Sequence, residues 1–249
     1  SCSPPLQPHR PKQQRGVRLE LQYPQSRSSE RLLWVAGELA GSRTMSDTQS
    51  IPLSVIIPVY NDPEGLETTV ESLLDQTVDD YEILVADNGS TDLTRKLAKA
   101  YATRDRVRRV VEDEIQGSYA ARNAGIDFAR GDLLCFVDAD MWVDDDWVAR
   151  VQERMQKDDI DYLGGNVEVG IKRETLCAQY NRQTGFPIEQ HIKTKQFAPT
   201  CCLVTRRAVI DEVGDFDERL VSAGDAEFGK RVYRAGYDQR FADDITMYH

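Results

Sequence analysis

Cysteine and histidine are scarce in this 249-residue chain, five and three residues, and their placement excludes more than it suggests. Cys2, Cys135, Cys177, Cys201 and Cys202 are odd in number, form no CxxC, and place Cys135 and Cys202 in apolar runs. Neither a disulfide framework nor a zinc site follows, so a reducing cytosol is the expected compartment. No stretch reaches the roughly 18 consecutive apolar residues of a spanning helix, and Leu32 to Ala40, interrupted by Glu38, is too short for a convincing signal sequence. No GxGxxG follows the first apolar run, which argues against a dinucleotide oxidoreductase. GxxxxGK[ST] is missing too, which argues against a P-loop NTPase. Positive charge is also in deficit: 31 Lys and Arg against 42 Asp and Glu give a net charge of −11.

That deficit is uneven. Residues 1 to 44 hold half of the prolines, seven basic residues and three acids, which leaves 24 basic and 39 acidic residues in 45 to 249, a net of −15. A body this acidic repels phosphate backbones, so nucleic acid is not an expected partner. Within it Asp is about twice as frequent as Glu, and Arg outnumbers Lys. Such a bias suits solubility in concentrated salt, where surface repulsion is screened; equal folding and activity in dilute buffer would exclude that reading. Residues 1 to 50, rich in Pro, Gln, Arg and Ser, read as a disordered leader with little capacity for a core. A transit peptide is one reading of it. The plainer one makes Met45 the natural start and everything before it foreign to the native fold.

From Leu53 the register changes. Leu53 to Val59 (LSVIIPV) reads as a buried strand, and Pro63 to Gln76 has helical spacing through Leu66, Val70, Leu73 and Leu74, with Pro63 near the helix start. Tyr81 to Ala86 is the next strand. Asn88-Gly89 then supplies a turn, Ser90 or Thr91 an N-cap, and Asp92 a first-turn acid for a helix to about Arg104. Val107 to Val111, a helix from Gly117 and Ser118 through Arg130, and Leu133 to Val137 complete an alternation of strands and helices. This alternation predicts an α/β fold with a mainly parallel sheet. The second half is less regular. A helix is expected over Asp145 to Gln156, strands over Tyr162 to Val169 and Phe197 to Thr205, and helices over Arg206 to Val213 and Gly224 to Ala235. Gly164-Gly165 would allow a close approach or a bend.

Ligands of such sheets sit beyond the carboxyl ends of the strands. Those ends carry Tyr60-Asn61-Asp62, Asp87-Asn88-Gly89-Ser90 and Asp138-Ala139-Asp140. Residues i and i+2 of an extended segment face the same side, so Asp138 and Asp140 could converge on one divalent cation that also holds a diphosphate. Asp-x-Asp is short and common, and a solvated acidic loop is its plain alternative; Asp144-Asp145-Asp146 reads as one.

The runs SVIIPVYNDPEGLETTVESLLDQT, EILVADNGSTD and GSYAARNAGIDFARGDLLCFVDAD together resemble the nucleotide-binding half of family-2 glycosyltransferases of the GT-A fold. The later segments TCCLVTRRAVIDEVGDFDERL and AGDAEFGKRVYRAGY resemble that family's acceptor half. Each motif alone is weak, whereas their order and spacing are specific. The resemblance covers residues 51 to 249, with 51 to 140 as the nucleotide-binding half and 141 to 249 as the acceptor half. It also implies a helical segment beyond His249, so that the acceptor half is cut short.

The resemblance implies that Pro58, Tyr60 and Asn61 line a nucleotide pocket, with Asp62 where the family often has an acid. Asp87, with Asn88 beside it, would accept the imide N–H of a uracil-type base. Arg122 would face the nucleotide sugar or its phosphates, its plain alternative being a surface ion pair. Asp138 would contact ribose and metal, with Ala139 beside it, while Asp140 would bind Mn²⁺ or Mg²⁺ directly, joined by His249. Met141 and Trp142 read as core, or as the floor of a sugar pocket. The family's Glu-Asp pair opening a helix reads here as Gly224-Asp225. Asp225 keeps the place of the catalytic base, although an acid at a helix N-terminus is equally explained by the dipole. The implied activity is metal-dependent, inverting transfer from a nucleotide-diphosphate sugar, a UDP-sugar first, to a hydroxyl of a saccharide or lipid-linked acceptor. Peripheral contact with the inner membrane face would follow for a lipid-linked acceptor. A haloacid-type phosphatase fits less well, because its Asp-x-Asp follows the first strand and precedes Thr. The rival from another class is a nucleotide-sugar-binding or scaffold protein without turnover, and it rests on Gly224 and the missing segment.

Overall fold

Leu53–Val59 (β1) and Tyr81–Asp87 (β2) are buried along almost their whole length, which for strands requires cover on both faces of a sheet. In the computed structural model the described residues are 52–168 and 187–249, so the expectations about the leader and the thiols of Cys2 and Cys177 lie outside them. The described residues lie within the compact unit Gln49–His249. Val107–Val111 (β3) and Leu133–Phe136 (β4) join β1 and β2 in parallel, in the order β3-β2-β1-β4. Val59 pairs with Asp87 and Asp87 with Val111, while Ile56 pairs with Phe136. The register therefore brings residues 60, 88, 112 and 138 to one rim.

The connecting helices are Pro63–Leu74 (α1), Leu93–Tyr101 (α2) and Ser118–Phe128 (α3). Pro63 opens α1, and Asp62 caps it by accepting from the Gly65 N–H at 2.9 Å. For α2 the expected cap is displaced by one or two residues. Asp92, and neither Ser90 nor Thr91, accepts from the Thr94 N–H, because Ser90 is held by Asp87 and Thr91 by Asn61.

Beyond β4 the sheet turns mixed. Trp142–Val143 (β5) precedes helix Trp147–Lys157 (α4), strand Tyr162–Glu168 (β6) and helix Ile188–Lys195 (α5). The strand expected over Phe197 to Thr205 is divided. Pro199 leads into a 3₁₀ turn, Thr200–Cys202, and only Leu203–Arg206 (β7) is strand. Helices Arg207–Val213 (α6) and Gly224–Arg234 (α7) come next, and Gln239–Tyr248 (β8) closes the described chain. The sheet continues β4-β7-β6-β8-β5, antiparallel except for β6 with β8.

β8 is absent from the sequence reading for a physical reason. Its register with β6 jumps from Ala242 opposite Gly165 to Thr246 opposite Asn166, which leaves Asp243 to Ile245 outside the ladder and breaks the period-2 pattern. Gly165 answers this bulge: a Cβ there would stand 2.6 Å from the Ile245 carbonyl oxygen. Among the described residues no helix is long and apolar enough to cross a membrane.

Candidate active site

The first two turns of α3 hold the candidate site together, because successive residues face different parts of it. Gly117, Ser118 and Ala121 line a cleft of about 220 Å³ with Pro58, Val59, Tyr60, Asn88 and Gln116. This volume lies below the ~300 Å³ lower bound for a drug-sized ligand, so the cleft suits only part of such a ligand. Asn88 fixes its far wall. The Asn88 amide donates to the carbonyls of Glu112 and Ile115 at 2.9 and 2.8 Å, and its oxygen accepts from Gln116 Nε2 and the Gly117 N–H, both at 2.7 Å. A buried amide with its hydrogen-bonding capacity filled in this way rigidifies the β3–α3 loop.

Asp87 anchors the same rim from below. It is fully buried; its Oδ1 accepts from the Ser90 N–H at 2.8 Å and its Oδ2 from Arg109 Nη2 at 2.6 Å and Nε at 3.2 Å. Three of its roughly four acceptor positions are thus filled within the protein. Ser90 in turn accepts from the Asn61 N–H, and Asn61 Oδ1 accepts from the Thr91 N–H at 2.8 Å. Asn61, at φ 50°, is thereby held in a left-handed conformation, which leaves Tyr60 half exposed at the cleft mouth.

The extended strand expected to carry Asp138 and Asp140 ends before them. β4 ends at Phe136, and residues 139 and 140 form a turn, so the alternation of an extended strand stops short of the two carboxylates. Asp138 Oδ1 instead accepts from Arg122 Nη2 at 2.6 Å, and Asp140 Oδ2 lies 3.0 Å from His249 Nε2. The pairing of Trp142 with Tyr248 in β5 and β8 brings His249 to Asp140, and the two rings stack with centroids 5.6 Å apart. Trp142 is thus committed to Tyr248, while Met141 is buried in the core. Among the described residues no group of three or more His, Cys, Asp and Glu side chains could enclose a metal. The Asp140–His249 pair, half exposed on both sides, nevertheless offers one hard oxygen and one imidazole nitrogen. Mn²⁺ or Mg²⁺ held mainly by phosphate and water needs one or two protein ligands, which this pair can supply. Gly65 sets the height of the turn: a Cβ there would meet Asp62 Oδ2 at 2.2 Å and the Ala139 carbonyl oxygen at 2.3 Å.

Arg122 is almost fully buried, and its guanidinium lies 5.6 Å from the centroid of the Tyr119 ring. Tyr119 stacks against Phe216 and reaches α7, where its phenol oxygen accepts from the Gly224 N–H at 2.8 Å. Asp225, next in sequence, accepts from the Ala226 N–H at 2.8 Å and is partly exposed. Its negative charge raises the pKa of buried Tyr162, where desolvation dominates, and partly offsets the lowering of His191 by burial and Lys195. The Cys202 thiol is pushed well above its usual range by its hydrogen bond with Cys201 and by burial, with Asp138 adding to the effect. Asp138, Arg122, Tyr119 and Asp225 therefore form one run of contacts, while Asp140, Asp138 and Asp225 stand outside the cleft lined by Tyr60 and Asn88.

Two residues of this arrangement escaped the sequence reading, Arg109 and Tyr119. Arg109 had a signal: β3 reads VRRVV beside a strand that carries Glu82 and Asp87, and alternation sends one arginine to each. Tyr119 had none, since its partner is 105 residues away.

The comparisons agree with this architecture. The chain is 37% identical over 207 residues to Glycosyltransferase AglE of Haloferax volcanii, covering 81% of this chain and 68% of AglE. It is 27% identical over 223 residues to Amylovoran biosynthesis glycosyltransferase AmsB of Erwinia amylovora, covering 81% of this chain and 70% of AmsB. Among solved structures, S. aureus TarS 1–349 in complex with UDP-GlcNAc aligns with a TM-score of 0.67 at 21% identity, over 80% of this chain and 58% of that one. Mannosyltransferase PcManGT from Pyrobaculum calidifontis, in complex with GDP-Man and Mn2+, aligns with a TM-score of 0.64 at 19% identity, over 88% and 63%. At these identities the structural matches establish the shared GT-A fold; the chain spans only 36% of a longer TarS structure. A family model described as Glycosyl transferase family 2 matches residues 54–214, and to that family the chain belongs.

Proposed function

We propose that this chain transfers a sugar from a nucleotide-diphosphate donor, a UDP-sugar first, to a hydroxyl acceptor with inversion at the anomeric carbon. The observation that carries the reading is the continuous contact from the cleft through α3 to Asp138 and on to Asp225. The base would enter the cleft between Tyr60 and Gln116, with the Asn88 clamp behind it. Asp87, fully buried, would contribute to base recognition by holding Ser90, and through it Asn61, at the rim. Arg122 would keep Asp138 oriented toward the ribose. Asp140 and His249 would hold Mn²⁺ or Mg²⁺, which when bound offsets the charge developing on the leaving diphosphate. TarS with UDP-GlcNAc and PcManGT with GDP-Man and Mn2+ support a donor and an ion of this kind.

Asp225 would act as the base. Its free oxygen takes the proton of the acceptor hydroxyl as that oxygen bonds to the anomeric carbon, and the sugar–phosphate C–O bond breaks with its electron pair leaving on the diphosphate. One base is enough, because no covalent intermediate forms. The acceptor would be a surface glycan, a glycolipid or a polyprenyl-linked saccharide, the last two bringing the chain to the cytoplasmic face of a membrane. The free thiols of Cys135, Cys201 and Cys202 suit that compartment. The rival reading of binding without turnover loses its main support, since Gly224 has a packing reason of its own: a Cβ there would stand 2.6 Å from the Tyr119 ring.

The test is a thermal-shift panel of UDP, GDP, dTDP and their sugars with and without Mn²⁺, followed by nucleotide release from the best donor. Asp140→Asn should weaken nucleotide binding and abolish turnover, whereas Asp225→Asn should bind donor normally and not turn over. Full activity of Asp225→Asn would remove the base.

A further inference from the structure

We infer that Tyr119 is a positioning residue for Asp225, with its phenol acting as the N-terminal cap that α7 does not carry in its own sequence. The inference rests on the proposed role of Asp225 as base. A helix begins with four backbone N–H groups that have no partner within it, and a Ser, Thr, Asp or Asn before the first turn commonly accepts from one of them. α7 begins instead with Ala223, in the left-handed region at φ 63° and without a capping side chain. The vacancy is filled from another part of the chain. Tyr119 Oη accepts from the Gly224 N–H at 2.8 Å and lies 3.4 Å from the Asp225 nitrogen, and Asp225 Oδ1 takes the Ala226 N–H at 2.8 Å. The phenol thus serves the first two amides of the turn, so the carboxylate satisfies only the third, and among the described residues Oδ2 has no hydrogen-bond partner.

The fit is specific to this pair. A Cβ on residue 224 would lie 2.6 Å from two ring carbons of Tyr119, and the ring is held by its stack on Phe216 and by the Arg122 guanidinium over it. Gly224 is therefore the condition for Tyr119 to reach the helix. Tyr119 in turn links the arginine that holds Asp138 to the turn that presents Asp225. Without the hydroxyl, the uncovered amides compete for the Asp225 carboxylate and draw it toward the helix end, away from an acceptor.

Tyr119→Phe tests this, because it keeps the ring, the stack on Phe216 and the contact with Arg122. The unaltered chain, Tyr119→Phe and Asp225→Asn are compared for nucleotide release from UDP-GlcNAc, UDP-glucose and GDP-mannose under Mn²⁺, and for hydrogen exchange across Gly224 to Glu227. Tyr119→Phe should lower kcat about tenfold or more with donor KM within about twofold, and should speed exchange of the first turn of α7 about tenfold. Unchanged kcat and exchange in Tyr119→Phe, with Asp225→Asn inactive, would overturn the positioning role and leave the base in place. An active Asp225→Asn would remove both. A rise in donor KM at constant kcat would also overturn the inference, since it would assign Tyr119 to donor binding. For the pairing itself, Gly224→Ala should destabilise the chain strongly on its own and much less beside Tyr119→Ala; additive effects would refute the matched packing.

Discussion

Replacing Asp87 by asparagine changes little in shape and much in charge, which makes it a direct test of how the rim of the sheet is built. The new side chain could still accept from the Ser90 N–H, but its amide would present hydrogens to Arg109, whose Nη2 and Nε donate to the native carboxylate at 2.6 and 3.2 Å. The guanidinium would lose its counter-charge at a site where its side chain is 15% exposed and Asp87 is fully buried. Breaking a buried pair from one side costs about 3–5 kcal/mol, and the small exposure of Arg109 places this one near ~3 kcal/mol. A domain of this size loses roughly 2–4 °C of melting temperature per kcal/mol, so the variant should melt about 6–12 °C lower at pH 7. Urea unfolding of wild type and variant gives the free-energy difference directly, with the slope m as a check that the unfolded states match. The pair Asp87→Leu with Arg109→Met should recover much of the loss, because removing both charges of a buried pair is far milder than removing one. A melting temperature within about 1 °C of wild type would put the pair on a level with an exposed one. Asp87 would then be no anchor for Ser90 and Asn61.

Gly65→Ala should cost about 1–3 kcal/mol by overpacking against the Ala139 carbonyl and should weaken UDP binding under Mn²⁺; calorimetric affinity equal to wild type would uncouple α1 from the Asp138–Asp140 turn. Arg122→Met should lower UDP affinity about tenfold or more while costing only ~1 kcal/mol of stability, because the carboxylate it releases is 40% exposed and can hydrate. A large loss of stability without loss of affinity would make the pair structural. His191, stacked on Phe197, has its pKa lowered from 6.5 by burial first and by Lys195, with Asp225 opposing. The unfolded chain therefore takes up its proton more readily, so the contribution of His191 is complete above pH 6.5 and is lost as the pH falls below it. His191→Phe should lose less stability than wild type between pH 7 and 5, and parallel urea midpoints over that range would contradict this.

The parts of the fold legible in the sequence are those where one local pattern has one physical cause. LSVIIPV and YEILVAD are dominated by apolar residues because both faces of β1 and β2 are covered, their inner polar groups Ser54 and Glu82 being hydrogen-bonded to each other, and Pro63 marks the start of α1 because its missing N–H costs nothing there. Legibility fails where a pattern is carried past its cause. Asp138 and Asp140 share a face only while the strand continues; β4 stops at Phe136, and the turn after it gives one carboxylate to Arg122 and brings the other to His249. The same alternation, applied inside a strand, has predictive force that the motif reading left unused. β3 places Arg108 and Arg109 on opposite faces of a covered sheet, where each cation needs an acid on the neighbouring strand. β2 carries two acids: Glu82 receives Arg108 at 2.9 Å, and Asp87 receives Arg109 at 2.6 Å. A carboxylate at the end of a buried strand is thus first a question about the next strand, and only its remaining lone pairs are available to a ligand.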